Sequence, residues 1–77
     1  MTALAPRVPV AVAFGARARA LRLERDWTLG ALASRTGLGR ATLYRIEQGG
    51  NPRLATADKV AAAFGLSLAE MLAEVPG

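Results

Sequence analysis

Apolar positions recur every three to four residues through most of this chain, and glycine- or proline-bearing breaks cut the pattern into five stretches. Phe14, Ala18, Leu21 and the stem of Arg25 fall on one helical face, which predicts a first helix beginning near residues 11–13 and ending at Asp26. Arg17, Arg19 and Glu24 point elsewhere, and Leu23, four residues before Trp27, is expected to cover the indole, the competing expectation being a self-association patch. Thr28 is a good N-cap for a second helix over residues 29–35, which turns Leu32 and Ala33 inward. Gly37 supplies the backbone freedom for a tight turn, and a third helix over residues 40–48 follows Gly39 and stops at Gly49 and Gly50. After the loop "GGNPR", a fourth helix over residues 54–64 is expected to bury Leu54, Ala57, Val60, Ala61 and Phe64 and to end at Gly65. Ser67, with Glu70 three residues on, forms a capping box, so a fifth helix starts there and runs to about Glu74.

The expected fold is therefore all-α, a compact five-helix bundle without strands, internal repeats or a second domain. Residues 1–12 contain Pro6 and Pro9 and no helical period, so they read as a flexible arm; residues 13–74 form the folded domain and residues 75–77 a tail.

Composition narrows what such a bundle can do. At 77 residues only about 60% of the unfolded surface is buried on folding, and the 52% hydrophobic content includes just 5% aromatic residues. Much of the remainder is alanine, which packs helices closely but buries little area, so self-association would help. There is no cysteine and no histidine, which excludes disulfides and any thiolate or imidazole metal site; no metal or cofactor is expected. Neither Ser34 nor Ser67 has an evident base beside it, so an enzyme is not expected. The apolar run "VPVAVAFGA" is far short of the roughly 20 residues that span a bilayer. The N-terminus lacks the basic cluster of a secretory signal and is interrupted by Arg7 and prolines, so a cytoplasmic setting is expected.

Charge adds a direction. The net charge is +4, but residues 17–53 carry eight arginines against Glu24, Asp26 and Glu47, whereas beyond Arg53 the single Lys59 faces Asp58, Glu70 and Glu74. Nine of the ten basic residues are arginine, whose planar fork suits phosphates and guanine edges. A polyanionic partner fits this field. Charge alone does not establish one, since arginine-rich coding from a GC-rich genome gives the same bias.

Spacing carries the argument further. Small Ala33, then Gly37 four residues later, then Leu43 and Ile46 let two helices approach closely, turn sharply and anchor on the core, which is a helix-turn-helix. Such a pair also occurs in proteins that touch no nucleic acid, so the outer face decides. At 100° per residue, with Leu43 and Ile46 inward, Ala41, Tyr44, Arg45 and Gln48 face out and Arg40 lies on the exposed first turn. Arginine, glutamine and tyrosine are ligands for base edges and phosphates, and Ala41 lets a helix backbone come close to a groove. A solubilising face would mix lysine with glutamate. Glu47, which DNA would repel, is expected to turn inward and pair.

On these residues the chain resembles the Cro-like or XRE-type helix-turn-helix regulators related to phage repressors. The likeness runs over residues 14–72 and rests jointly on Arg22 and Arg25 before "WT", on "LASRTGL", "IEQG" and the proline after it, and on "KVAAAFGLSLAEML". It implies a five-helix, lambda-repressor-like domain, frequently dimeric, with the third helix in the major groove of double-stranded DNA. By matched position it makes Arg40, Ala41 and Arg45 base readers and puts Thr42 and Tyr44 near the sugar-phosphate edge. It also implies phosphate contacts from backbone N–H groups at Thr28 and Leu29 and around Asn51 and Arg53, and a structural salt bridge between Arg22 and Glu47. Two positions depart from the family: Leu29 stands where glutamine often clamps a phosphate and braces a base reader, and Gly39 replaces a frequent serine or threonine cap.

A single short reading helix contacts few bases, so the expected working unit is a homodimer on a palindromic operator, acting as a repressor or autoregulator in a bacterial or phage setting, in the cytoplasm and on the nucleoid. Leu68, Met71, Leu72 and Val75 exceed what the last helix needs for burial within one subunit and are the candidates for a dimer surface, the equal alternative being that some of them cap the bundle. The competing expectation is a protein-interaction module, an antiactivator, antitoxin or adaptor, that grips a protein partner through its acidic, apolar C-terminal end.

Overall fold

Helix boundaries in this protein are set by local chemistry at each end. The computed structural model describes residues 9–73 and contains α1 (Val10–Glu24), α2 (Leu29–Thr36), α3 (Arg40–Glu47), α4 (Leu54–Ala63) and α5 (Leu68–Ala73), with no strand among the described residues. The first eight residues of the expected arm, and Glu74 to Gly77 with the tail, lie outside the described residues.

α1 starts earlier than expected. Pro9 occupies the N-cap position with φ −56° and ψ 143°, and its carbonyl accepts from the Ala13 N–H at 3.0 Å, so Val10, Ala11 and Val12 belong to the helix and not to an arm. α1 also stops two residues early, at Glu24. Asp26 takes φ 56°, the Trp27 N–H returns to the Arg22 carbonyl at 3.0 Å and the Asp26 N–H to the Leu23 carbonyl at 3.0 Å. This is a Schellman closure with aspartate, a residue that tolerates the left-handed region, in the place usually held by glycine. The helix therefore never reaches Trp27, and the four-residue geometry expected to bring Leu23 over the indole does not arise. Leu23 stays 47% exposed. Trp27 instead stacks on Phe64 with centroids 5.6 Å apart, and the Arg35 guanidinium lies 4.0 Å over its ring. Arg25 reaches over the same Phe64 ring at 5.1 Å. This stack ties the α1–α2 turn to the end of α4.

The remaining ends follow the expected chemistry. Thr28 Oγ1 accepts from the Ala31 N–H at 3.0 Å, and Gly37 closes α2 in the left-handed region at φ 75°. Ser67 and Glu70 exchange the two bonds of a capping box, at 2.8 and 3.0 Å.

The core collects Phe14, Ala18 and Leu21 from α1, Leu32 from α2, Leu43 and Ile46 from α3, Ala57, Val60 and Ala61 from α4, the adjoining Phe64, and Met71 from α5. Two expectations fail here. Leu54 is not buried: it is the first residue of α4, projects beyond the core and is 78% exposed. Met71, expected on a dimer surface, is fully buried at 0% because α5 packs that side against α4 and α1, so it fills its own subunit.

Gly15 positions α3. A Cβ there would lie 2.0 Å from the Ile46 carbonyl oxygen, so only glycine lets α1 cross this close to the C-terminal end of α3. A glycine inside a helical period is the one sequence signal that could have indicated the crossing.

Candidate nucleic-acid interface

α3 is held on its inner side by apolar burial and by one ion pair. Leu43 and Ile46 are 1% and 4% exposed. Glu47, next along the helix, accepts from Arg22 Nε at 2.7 Å and from Arg22 Nη2 at 2.9 Å, while Arg22 Nη1 donates to the Trp27 carbonyl at 3.0 Å. This bidentate geometry is the strong form of a charge-assisted bond. The hydrogen bonds to Glu47 push the Arg22 pKa above its ordinary value; burial acts in the opposite direction and is outweighed. The consequence for the site is that the only carboxylate of α3 is withdrawn from its outer face.

That outer face presents Arg40, Ala41, Tyr44, Arg45 and Gln48 to solvent, with Tyr44 57% exposed. Gly39 caps α3 without a side-chain hydrogen bond, and the guanidinium of Arg40 comes back over Gly30 on the first turn of α2. Thr42 is half-buried and turns toward the loop after α3, where it lines an open cleft with Arg45, Asn51, Arg53 and Thr56. The structure thus brings Thr42, Asn51 and Arg53 beside Arg45, and adds Thr56, which sequence reasoning missed; a threonine one turn into a helix carries no distinguishing pattern. At the other end of the motif, Thr28 is exposed, and the N–H groups of Leu29 and Gly30 fall at a helix start where no intrahelical partner exists. The Leu29 side chain packs against the core.

Of the residues expected at a dimer surface, Leu68 and Leu72 are half-buried and line an apolar groove with Val10, Phe14 and Leu54. Val75 lies outside the described residues. No group of described residues could hold a metal ion, and no helix among them is long and apolar enough to cross a membrane.

The helix-turn-helix family profile matches residues 19–71, a span that runs from within α1 to within α5 and includes α2, the Gly37 turn and α3. The chain belongs to the XRE-type helix-turn-helix family. Its class is that of DNA-binding transcriptional regulators, not of enzymes. This helix-turn-helix protein is similar to the clp gene regulator ClgR from Corynebacterium glutamicum in two crystal structures. One is 28% identical with a TM-score of 0.81, over 91% of this chain and 76% of that one. The other is 29% identical with a TM-score of 0.80, over 92% of each chain. It is also similar to a hypothetical transcription factor, NHTF, from Neisseria, at 25% identity and a TM-score of 0.74, over 94% of this chain and 88% of that one. No curated protein matches significantly.

Proposed function

We propose that this helix-turn-helix regulator reads duplex DNA sequence as a homodimer on a palindromic operator and acts there as a repressor or autoregulator. The observation that carries the reading is the division of α3: Leu43 and Ile46 anchor it, and Arg40, Ala41, Tyr44 and Arg45 stand in solvent on the opposite side. In this reading Arg40, Ala41 and Arg45 meet base edges in the major groove, and Thr42 and Tyr44 meet the sugar-phosphate edge. The N–H groups at Thr28 and Leu29 take one phosphate, and Asn51 and Arg53, at the cleft beside Arg45, take another. Two subunits associate through the groove lined by Leu68, Leu72, Val10 and Leu54, which sets the two reading helices on half-sites about 34 Å apart. The protein works in the cytoplasm on the nucleoid.

Selection of bound sequences from a random duplex pool tests this reading. The expected result is a two-fold symmetric consensus, bound with strong salt dependence. Enrichment of no sequence, together with salt-insensitive or absent DNA binding, would instead favour a protein-interaction module. For the dimer, Leu54→Glu is expected to halve the mass seen by sedimentation equilibrium and to weaken operator binding; an unchanged mass sinks the proposed surface.

A further inference from the structure

Gly30 is the second residue of α2, and its backbone does not ask for glycine. The positive-φ glycines among the described residues are Gly37, Gly49 and Gly65, so Gly30 has an ordinary helical conformation in which alanine would serve the helix better. Nor does another helix backbone crowd it, as one crowds Gly15. A Cβ on Gly30 would find, as its three nearest neighbours beyond its own turn, only guanidinium atoms of Arg40: Nε at 3.2 Å, Nη2 at 3.4 Å and Cζ at 3.5 Å. The first distance is tighter than ordinary van der Waals contact and the other two are ordinary contacts, so the guanidinium borders the space that a side chain at position 30 would claim.

Arg40 opens α3, is exposed, and has no hydrogen-bond or ion-pair partner among the described residues. Left to itself such a side chain samples many rotamers, and ordering it on a ligand opposes binding. In the structure the guanidinium lies back over Gly30, on the first turn of α2.

We propose that Gly30 determines specificity through Arg40: its missing side chain is the seat that orients this guanidinium toward a G·C pair of the duplex. The inference rests on the base-reading role proposed above for Arg40. A guanidinium meets guanine O6 and N7 as a fork, and a fork discriminates only when its plane is held. Gly30→Ala displaces the guanidinium by a few tenths of an ångström. Gly30→Leu fills the seat with a good helix former that offers no hydrogen bond of its own. Neither removes the charge, so attraction to the DNA backbone is retained and only preference at one base pair per half-site changes.

The experiment compares the full chain with its Gly30→Ala, Gly30→Leu, Arg40→Ala and Gly30→Leu/Arg40→Ala variants in selection from a random duplex pool, with melting temperature measured for each. Gly30→Leu is expected to reduce discrimination about fivefold or more at the same base pair that Arg40→Ala relaxes, Gly30→Ala to give a smaller change there, and the double variant to match Arg40→Ala. Both glycine variants should melt at or above the parent temperature. Should Gly30→Leu not fold, Gly30→Ala carries the same comparison.

A second readout needs no DNA. The heteronuclear NOE of the Arg40 Nε–H group in the free protein should fall in Gly30→Leu, and equal values in parent and variant overturn the proposal. So do an unchanged consensus, a change at a base pair that Arg40→Ala does not affect, or a uniform loss on all sequences. A parent protein that selects no consensus removes the base-reading role itself. A consensus that responds to Arg40→Ala but not to the glycine variants removes this inference alone.

Discussion

On its inner side α3 carries Leu43 and Ile46, almost fully buried, and Glu47, locked to Arg22 by two short bonds. On its outer side the same eight-residue helix carries Arg40, Ala41, Tyr44 and Arg45 in solvent. The contrast shows how a short helix can be both rigid and available: every strong interaction of its body is made inward. Substitutions on the two sides should therefore separate cleanly, the inner ones lowering stability and the outer ones altering what the helix binds.

The largest effect is expected from breaking the ion pair. Glu47→Ala leaves Arg22, whose side chain is 13% exposed, without its carboxylate, and should lower unfolding free energy by about 3–5 kcal/mol in denaturant titration. In a double-mutant cycle the losses from Arg22→Met and Glu47→Leu should be strongly non-additive, and additive losses would mean that the two do not interact. A cation whose folded-state pKa is raised contributes its full stability below its unfolded pKa and loses it only as pH climbs through the folded value. The Arg22 contribution should thus be flat through neutral and mildly alkaline pH.

Next in size, Gly15→Ala puts a methyl group onto the Ile46 carbonyl and should cost about 3 kcal/mol by forcing α1 and α3 apart; a melting temperature near the parent's would disprove the close crossing. Outer substitutions should do the reverse. Arg45→Ala is expected to leave the melting temperature in place while weakening binding to the selected operator by about 1–3 kcal/mol and relaxing one position per half-site, whereas Arg53→Ala should weaken all duplexes alike. Equal losses on operator and random DNA for Arg45→Ala would remove it from the base readers. The smallest effect belongs to the cap: Thr28→Ala removes the exposed bond to the Ala31 N–H and should destabilise by about 1 kcal/mol in the same titration.

Much of this division is legible in the sequence alone. The five helices follow from apolar period and caps because both are local: Thr28, Gly37 and the Ser67–Glu70 box each act within one turn of their own position. The outer face of α3 was legible for the same reason, since helical geometry alone puts Tyr44 and Arg45 opposite Leu43 and Ile46. The errors cluster where a residue's surroundings come from elsewhere in the chain. Leu54 and Met71 sit on apolar stripes that look alike, yet one ends 78% exposed and the other 0%, because burial depends on whether a second helix covers that turn. Helical spacing points Trp27 toward Leu23, but Asp26 turns the chain and the indole stacks on Phe64.

Sequence by itself thus determined the number and kind of elements, the turn that joins α2 to α3, and the cationic character of the outer surface. These are properties of neighbouring residues and of composition, which folding does not alter. The tertiary structure decided the approach of α1 to α3 at Gly15, the seating of Arg40 over Gly30, the grouping of Thr42, Arg45, Arg53 and Thr56 around one cleft, and the burial of Met71. Each of these depends on the angle and distance at which separate helices pack, and those are set jointly by side chains far apart in the chain.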